Sequence, residues 1–178
     1  MHECSNQTRQ ELWATVGNPY HFVDCGLDNV FLIGIKYKKC ACGEIVAEIP
    51  SIKQLLTLIA RDVVEQEFSL SGTEIRFLRK RLRMKQLDFA KQLGVEAGTL
   101  CRIENGHDPV SERTDKFVRL YYAVASKDPV LLGQIQRDLA ERFSSWQHLT
   151  SPKKIVAHMT EDNEWTADLV AAQICKAV

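Results

Sequence analysis

The chain has 178 residues, enough for one well-packed core with appendages, and its 45 % hydrophobic and 26 % charged content is ordinary for a globular protein. No apolar run approaches the roughly 20 residues that a membrane span needs, and the first ten residues lack the apolar core of a signal peptide. The sequence therefore predicts a cytoplasmic protein without a membrane partner, whose six cysteines are mostly thiols or metal ligands rather than disulfides.

The formal net charge is zero, but the charges are unevenly distributed along the chain. Residues 1–70 carry 6 Lys and Arg against 9 Asp and Glu, a net of −3. Residues 71–122 carry 11 against 7, a net of +4, and residues 123–178 carry 6 against 7, a net of −1. Because a polyanion responds to local positive charge, the central segment is the candidate nucleic-acid-binding part.

Residues 1–50 predict a β-hairpin module. Val30–Lys38 is rich in β-branched and aromatic residues, which favour a strand, and Glu44–Ile49 is its predicted partner. Before the hairpin, Glu11–Trp13 is predicted to form a helical turn and Tyr20–Val23 to begin a strand.

Two cysteines lie in the turn of this hairpin, Cys40 and Cys42, with one residue between them. Zinc knuckles usually have two intervening residues, because that spacing lets a tight turn direct both sulfurs at one ion. A tetrahedral site also needs two further ligands, for which Cys25, Cys4 and His21 are candidates. Zinc held by Cys25, Cys40 and Cys42 is one prediction, and two thiols on an ordinary hairpin turn is the other.

Helical periodicity dominates from residue 51 to about residue 143. Ser51 is a candidate N-cap for a connecting helix within 51–70, and Ser71 with Glu74 matches a capping box for a helix to about Arg83. The later predicted helices are Gln86–Leu93, Glu96–Asn105, Ser111–Tyr122 and Pro129–Phe143. The residues predicted to face inward on the last two are Phe117, Leu120, Tyr121, Leu132, Ile135 and Leu139.

The C-terminal extension, residues 126–178, contains a second predicted hairpin. Lys153–Met159 is predicted to pair with Trp165–Val170 across the turn Glu161–Asn163. The fold class is thus α+β and mainly α.

The helices Gln86–Leu93 and Glu96–Asn105 are separated by a tight turn at Gly94, which is typical of a helix-turn-helix unit. In such a unit the second helix lies in the major groove of DNA. Arg102 is the best candidate base reader, because its planar fork can donate two hydrogen bonds to guanine O6 and N7. The other candidate base-reading residues are Ala97, Gly98 and Cys101.

The candidate phosphate contacts share a basic or amide side chain near these helices: Arg79, Lys80, Arg83, Lys85, Gln86, Lys91 and Asn105. Arg79 and Glu104 have a second interpretation, since both lie on the core side of their helices. We predict an internal ion pair between them that joins the first helix of the basic segment to the third.

Residues 75–106 resemble the Cro/phage-repressor class of helix-turn-helix domains, often called XRE. The resemblance rests on the Leu78-Arg79 pair, the Gln86 that opens the second helix, the Ala-x-x-Leu-Gly-Val turn, and the closing Glu104-Asn105-Gly106. It implies a lambda-repressor-like bundle of five short helices over residues 71–125, which binds pseudo-palindromic operators in double-stranded DNA as a homodimer.

A wider resemblance, over about residues 20–125, is to the MqsA/YgiT-type antitoxin family. It rests on Tyr20-His21, Gly26–Val30, Cys42–Glu44, Ile49-Pro50 and Glu74–Arg79. The family joins an N-terminal zinc-finger-like module to an XRE domain, represses its own promoters, and in some members neutralises a toxin encoded next door. This chain departs from the family's Cys-x-x-Cys-Gly-Glu, because Lys39 stands where the first cysteine is expected.

Three classes of function remain to be compared: a transcriptional regulator, a toxin-neutralising interaction protein, and an enzyme. The chain lacks a phosphate-binding loop, Gly-x-Gly-x-x-Gly and His-Glu-x-x-His, so catalysis is not expected. The first two classes are compatible with each other. The leading prediction is an antitoxin-like autorepressor. The alternatives are a chain whose main role is binding a toxin and a stand-alone repressor without a toxin.

Overall fold

The computed structural model describes residues 9–40, 42–141 and 155–167. Over these residues the fold is mixed α/β, with six helices and two small sheets. The chain divides into two compact units. Within the described ranges, the first unit comprises residues 9–24, 28–59 and 155–167, and the second comprises residues 25–27 and 60–141.

The first unit contains the two sheets. The strands are β1 (Arg9–Trp13), β2 (Tyr20–His21), β3 (Val30–Ile33), β4 (Lys36–Cys40), β5 (Ile45–Ala47), β6 (Ile155–Met159) and β7 (Trp165–Ala167). One sheet has the order β1-β4-β5 and is antiparallel throughout. The other has the order β2-β3-β6-β7, in which β3 and β6 are parallel and the outer pairs are antiparallel.

The single strand predicted over Val30–Lys38 is divided in two by Gly34. Gly34 has a φ of +82°, which side-chain-bearing residues rarely adopt, and a Cβ there would lie 2.8 Å from the Met159 carbonyl oxygen. The chain therefore turns at Gly34 and passes from one sheet to the other. β4 then pairs with β5, as predicted for the partner segment Glu44–Ile49.

The helical turn predicted for Glu11–Trp13 is wrong, because these residues lie in β1 and pair with β4. Cross-strand side-chain contacts favour the strand: the Lys36 ammonium lies 4.9 Å from the centre of a Trp13 ring and 3.9 Å from a Glu11 carboxylate oxygen. The strand predicted to begin at Tyr20 is confirmed as the two-residue β2.

The predicted C-terminal hairpin is confirmed over the described residues, with β6 and β7 antiparallel and the Thr160 N–H donating to the Glu164 carbonyl at 2.8 Å. The predicted ends of this hairpin at 153–154 and 168–170 lie outside the described residues. β6 also pairs with β3, so strands from the predicted N-terminal module and from the predicted C-terminal extension belong to one sheet. Trp165 is buried, and its indole N–H donates to the Pro50 carbonyl at 2.9 Å.

The helices are α1 (Ile52–Glu65), α2 (Gly72–Arg81), α3 (Gln86–Leu93), α4 (Ala97–Glu104), α5 (Glu112–Ser126) and α6 (Pro129–Glu141). The capping box predicted at α2 is confirmed: the Ser71 hydroxyl accepts from the Glu74 N–H, and the Glu74 carboxylate accepts from the Ser71 N–H at 2.7 Å. Ser51 is not an extended N-cap, because its φ is +49°. α2 ends before Arg83, which has a φ of +56°.

The buried face of α5 differs from the predicted one. Val118, Tyr122 and Ala123 are buried together with the charged residues Asp115 and Arg119. Of the residues predicted to face inward, Leu120 and Tyr121 are half-buried and Phe117 is exposed. Phe117 and Leu120 line a groove of about 900 Å³ beside the end of α3. The other apolar residues that line this groove are Leu93 and Val95.

The start of α6 is stabilised by Asp128. Its carboxylate accepts from the Val130 and Leu131 N–H groups and receives two hydrogen bonds from the Arg61 guanidinium, at 2.7 and 3.0 Å. On α6, Leu131 is buried, and the predicted Leu132 and Ile135 are half-buried. The side chain of the predicted Leu139 lies outside the described residues.

Candidate nucleic-acid interface

The basic segment builds two short helices across a three-residue turn. α3 ends at Leu93 and is capped by Gly94, which has a φ of +66° and a ψ of +32°, and α4 begins at Ala97. The turn is closed by the Val95 N–H, which donates to the Ala90 carbonyl at 3.1 Å. Phe89 and Ala90 of α3 and Leu100 and Ile103 of α4 are buried, so the pair packs against the core through one side of each helix.

The predicted ion pair between Arg79 and Glu104 is present. Arg79 Nε donates to Glu104 Oε1 at 2.7 Å, and Arg79 Nη2 donates to Oε2 at 2.9 Å. The Gln86 amide also donates to Oε2, at 2.9 Å. Glu104 is 1 % exposed, so one buried carboxylate joins side chains from α2, α3 and α4.

This cluster changes the expected role of two predicted phosphate contacts. Arg79 is only 12 % exposed, and its remaining Nη1 donates to the Met84 carbonyl at 2.9 Å. Its guanidinium is therefore committed to the interior rather than available to a phosphate. Gln86 keeps its place at the start of α3, but its amide nitrogen points to Glu104.

At Gly72 the backbones of α2 and α4 approach each other closely. A Cβ on Gly72 would lie 1.9 Å from the Ile103 carbonyl oxygen, far inside van der Waals contact. Nearby, Arg76 Nη2 donates to the Glu104 carbonyl at 2.7 Å and to the Asn105 side-chain oxygen. Asn105 in turn donates to the Cys101 carbonyl at 2.8 Å, so both ends of this predicted phosphate-contacting amide have partners within the protein.

The outward side of α4 consists of Gly98, Thr99 and Arg102, which are exposed, with Ala97 and Cys101 half-buried beside them. Thr99 was not among the predicted base-reading residues. Its position three residues before Arg102 places both on one side of the helix, which is the signal that identifies it. Arg102 is held by Asp108: Nε donates to Oδ2 and Nη2 donates to Oδ1, both at 2.8 Å.

Four predicted phosphate contacts have exposed cationic side chains: Lys80, Arg83, Lys85 and Lys91. Lys80 lies near the end of α2, Arg83 and Lys85 follow α2, and Lys91 is on α3. They lie along the chain on either side of the start of α3. A helix N-terminus with nearby cations is a favourable environment for a phosphate group.

A second buried charged cluster was missed by the sequence analysis. Arg119 donates to Asp115 and to the carbonyls of Val64 and Gln66, at 2.8 and 2.7 Å, and also to that of Phe68. Burial lowers the pKa of Arg119, partly offset by Asp115. The i, i+4 spacing of Asp115 and Arg119 was the available signal, although exposed helical ion pairs have the same spacing.

The predicted zinc ligands differ in exposure. Cys40 is buried at the end of β4, where its N–H donates to the Glu44 carbonyl at 2.8 Å, whereas Cys42 is exposed and Cys25 is half-buried. No group of three or more His, Cys, Asp or Glu side chains suited to a metal ion occurs among the residues that the structure describes. His21, another candidate, stacks on Phe31 and contacts the Asp28 carbonyl at 2.7 Å. Cys4, the remaining candidate ligand, lies outside the described residues, and zinc binding stays a prediction.

Comparisons with protein-family models, with curated proteins and with solved structures return no match to this chain. Within the described ranges, none of the helices combines the length and apolarity required to cross a bilayer.

Proposed function

We propose that this protein is a sequence-specific transcriptional regulator that binds double-stranded DNA through a helix-turn-helix unit formed by α3 and α4. The observation that carries the proposal is the exposed face of α4, with Arg102 at its centre, on a helix pair that the Glu104 cluster fixes from behind. An α-helix fits the major groove of DNA, where each base pair presents a distinct pattern of donors and acceptors. In this arrangement α4 reads bases through Arg102, with Thr99, Ala97, Gly98 and Cys101 alongside.

The exposed cations Lys80, Arg83, Lys85 and Lys91 supply the contacts to phosphate in this proposal. Contacts of this kind fix the orientation of a protein on DNA and make affinity depend on salt, because each neutralised phosphate releases counterions. The N–H groups at the start of α3 add a backbone contribution. Arg79 and Asn105 are assigned to internal structure instead.

The proposed biological unit is an antitoxin-like autorepressor that binds a pseudo-palindromic operator as a homodimer. Two-fold symmetry places the half-sites about one helical turn, ~34 Å, apart. Because Gly98 has no side chain and Thr99 has a short one, most direct base readout is left to Arg102. Further specificity then depends on half-site spacing and DNA shape.

The test is selection of bound fragments from a genomic DNA library, followed by affinity measurements on the selected sequence at several salt concentrations. Lys80→Ala should weaken all sequences alike and reduce the slope of log K against log salt by about one. Lys38→Ala is a matched control, since Lys38 is an exposed lysine of β4 and lies outside the proposed interface. Absence of any retained or shifted DNA at low salt would refute the proposal.

A second candidate function, binding of a protein partner such as a cognate toxin, is favoured by the β1-β4-β5 sheet. Its outer strands carry exposed apolar side chains, namely Trp13 on β1, which is 57 % exposed, and Ile45 and Val46 on β5. Exposed apolar residues on sheet edges are suited to pairing with another chain. This role is compatible with DNA binding by the second unit.

Co-expression with the products of the adjacent genes, followed by co-purification, tests this second function. Val46→Asp should abolish co-purification of a partner and leave DNA binding unchanged, because Val46 is exposed on an outer strand. If the variant retains the partner, or if no neighbouring product co-purifies with the unaltered chain, this second function is rejected.

A further inference from the structure

The loop that follows α4 folds back onto Arg102 and forms hydrogen bonds with both its backbone and its side chain. At the backbone, the His107 N–H donates to the Arg102 carbonyl at 2.9 Å. At the side chain, Asp108 accepts from Nε and Nη2 at 2.8 Å each. Arg102 is nevertheless 64 % exposed and Asp108 31 %, so the pair lies at the surface and not in the core.

The pairing with Asp108 uses only one edge of the guanidinium. Five N–H groups are available, and Asp108 takes the one on Nε and one of the two on Nη2. Both N–H groups of Nη1 and the second N–H of Nη2 remain. One N–H of Nη1 and the free N–H of Nη2 lie along the outer edge of the fork, and this edge can donate two hydrogen bonds to O6 and N7 of guanine.

The Asp108 carboxylate can remain paired with Arg102 at neutral pH. The hydrogen bond from Arg102 lowers the pKa of Asp108, and the same hydrogen bond raises the pKa of Arg102. Both groups are therefore charged at neutral pH. A long arginine side chain otherwise loses much rotamer freedom when it binds a base, and fixing it beforehand reduces that loss.

We propose that Asp108 is a positioning residue that presents the outer edge of the Arg102 guanidinium to a guanine in the major groove. This inference rests on the proposed DNA-binding function and adds a specificity determinant outside the reading helix. Asp108 also brings a negative charge towards the DNA backbone. It therefore improves discrimination between bases while lowering the affinity for DNA in general.

The experiment compares the base preferences of five proteins: the unaltered chain, Asp108→Asn, Arg102→Ala, the double variant Arg102→Ala/Asp108→Asn, and the matched control Asp88→Asn. Asp88 is an exposed acid on α3, so its replacement removes the same charge without affecting Arg102. Each protein is used to select randomised duplex DNA. Affinities are then measured for the selected site and for the same site with the Arg102-dependent guanine replaced.

We expect the unaltered chain to prefer the guanine by roughly tenfold or more, the scale of a bidentate contact. Asp108→Asn should lose most of that preference and bind unrelated DNA as tightly as before or more tightly. Asp88→Asn should change affinity for all sequences and keep the preference. In an Arg102→Ala background, replacing Asp108 should change the preference no further.

Three outcomes would overturn the inference. If Asp108→Asn keeps or sharpens the guanine preference, Asp108 competes with the base instead of presenting the arginine. If Arg102→Ala leaves the base profile unchanged, DNA binding stands but Arg102 and Asp108 play no part in readout. If the unaltered chain binds no DNA, the proposed function fails and the inference fails with it.

An NMR measurement on the free protein gives a test that does not depend on DNA. The Arg102 Nε–H should exchange slowly with water in the unaltered chain and rapidly in Asp108→Asn. Equal exchange rates in the two proteins would show that Asp108 does not fix the side chain.

Discussion

Two arginine–carboxylate pairs each have one member on α4, Glu104 in one and Arg102 in the other, and they have nearly the same geometry but opposite surroundings. Arg79 binds Glu104 through Nε and Nη2 at 2.7 and 2.9 Å, and Arg102 binds Asp108 through the same two nitrogens at 2.8 Å. Glu104 is 1 % exposed and Asp108 is 31 % exposed. The difference between the pairs is therefore burial and not bond geometry.

Burial decides what each pair contributes. A buried charge that loses its partner cannot be solvated, so breaking a buried pair is costly, whereas an exposed pair contributes little to stability. Residues 102 and 104 are two positions apart on a helix and therefore lie on nearly opposite sides of it. One side of α4 carries the buried carboxylate that joins three helices, and the other exposes the Arg102 guanidinium to solvent.

The largest expected effect is that of Glu104→Ala. It leaves Arg79 buried without its carboxylate and removes an acceptor from Gln86, so we expect a loss of about 3–5 kcal/mol in the free energy of unfolding. Denaturant titration measures this loss. Glu96→Ala is the matched control, because Glu96 is exposed and its side chain makes no capping hydrogen bond. Equal losses in the free energy of unfolding for the two substitutions would mean that the buried Glu104 carboxylate contributes no more to stability than an exposed one.

The next largest effect is expected for Gly72→Ala, at the contact between α2 and α4. The added methyl group must displace the Ile103 carbonyl, and overpacking of this kind costs about 1–3 kcal/mol. Gly98→Ala is the control: a Cβ there meets nothing within 4 Å, so alanine should stabilise α4 by about 0.5–1 kcal/mol. Thermal unfolding should shift in opposite directions for the two variants, and shifts of the same sign would contradict the close approach.

A smaller and pH-dependent effect is expected for Asp128→Asn. Burial raises the pKa of Asp128, but hydrogen bonds from Arg61 and from the Val130 N–H outweigh burial, and the net pKa lies below the ordinary 3.8. Ionised Asp128 therefore contributes stability at pH values above about 4, and that contribution is lost as the pH falls through the folded-state pKa.

We expect Asp128→Asn to lose about 1 kcal/mol at pH 7 and to approach the unaltered chain as the pH falls below the ordinary pKa of 3.8. Denaturant titrations at several pH values test this, with Glu161→Gln, an exposed carboxylate, as the control. A difference that stays constant from pH 7 to pH 3 would assign the effect to packing.

The smallest effect on stability is expected for Arg102→Ala, within about 0.5 kcal/mol, because its pair with Asp108 is exposed. If Arg102 reads a guanine as proposed, the same variant should lose the preference for that base. We therefore expect a small effect on stability and a large effect on base preference. A large loss of stability would place Arg102 with Arg79 among the structural arginines and would remove the contrast between the two sides of α4.

Local signals in the sequence were reliable where short-range physics decides the structure. The Ser71–Glu74 capping box, the bounds of α3 and the Arg79–Glu104 pair were all predicted from spacing alone. Arg102 was identified as an outward residue, but its partner Asp108 was not, because a loop conformation cannot be inferred from helical periodicity.

Non-local contacts were the features that the sequence did not reveal. Gly34 ended a strand because the backbone of β6, more than a hundred residues later in the chain, lies against it. The buried Arg119 donates to backbone carbonyl groups of the segment 64–68. Every residue has a backbone carbonyl, so the side-chain pattern does not indicate which carbonyls accept these hydrogen bonds. The apolar periodicity of α5 indicated Leu120 and Tyr121, which are half-buried, but not the fully buried Val118 and Tyr122.

The parallel pairing of β3 with β6 has a consequence for the order in which the protein forms during synthesis. Val30 pairs with Ile155, so β3 is synthesised 125 residues before the strand that pairs with it. The helices α2 to α5 are completed in that interval through contacts close in sequence, which form early.

A nascent chain that stops near residue 150 should therefore protect α2–α5 from hydrogen exchange while β3 remains unprotected on the side where β6 pairs. The first unit, which contains β3 and β6, is therefore the first to begin synthesis and the last to complete its fold.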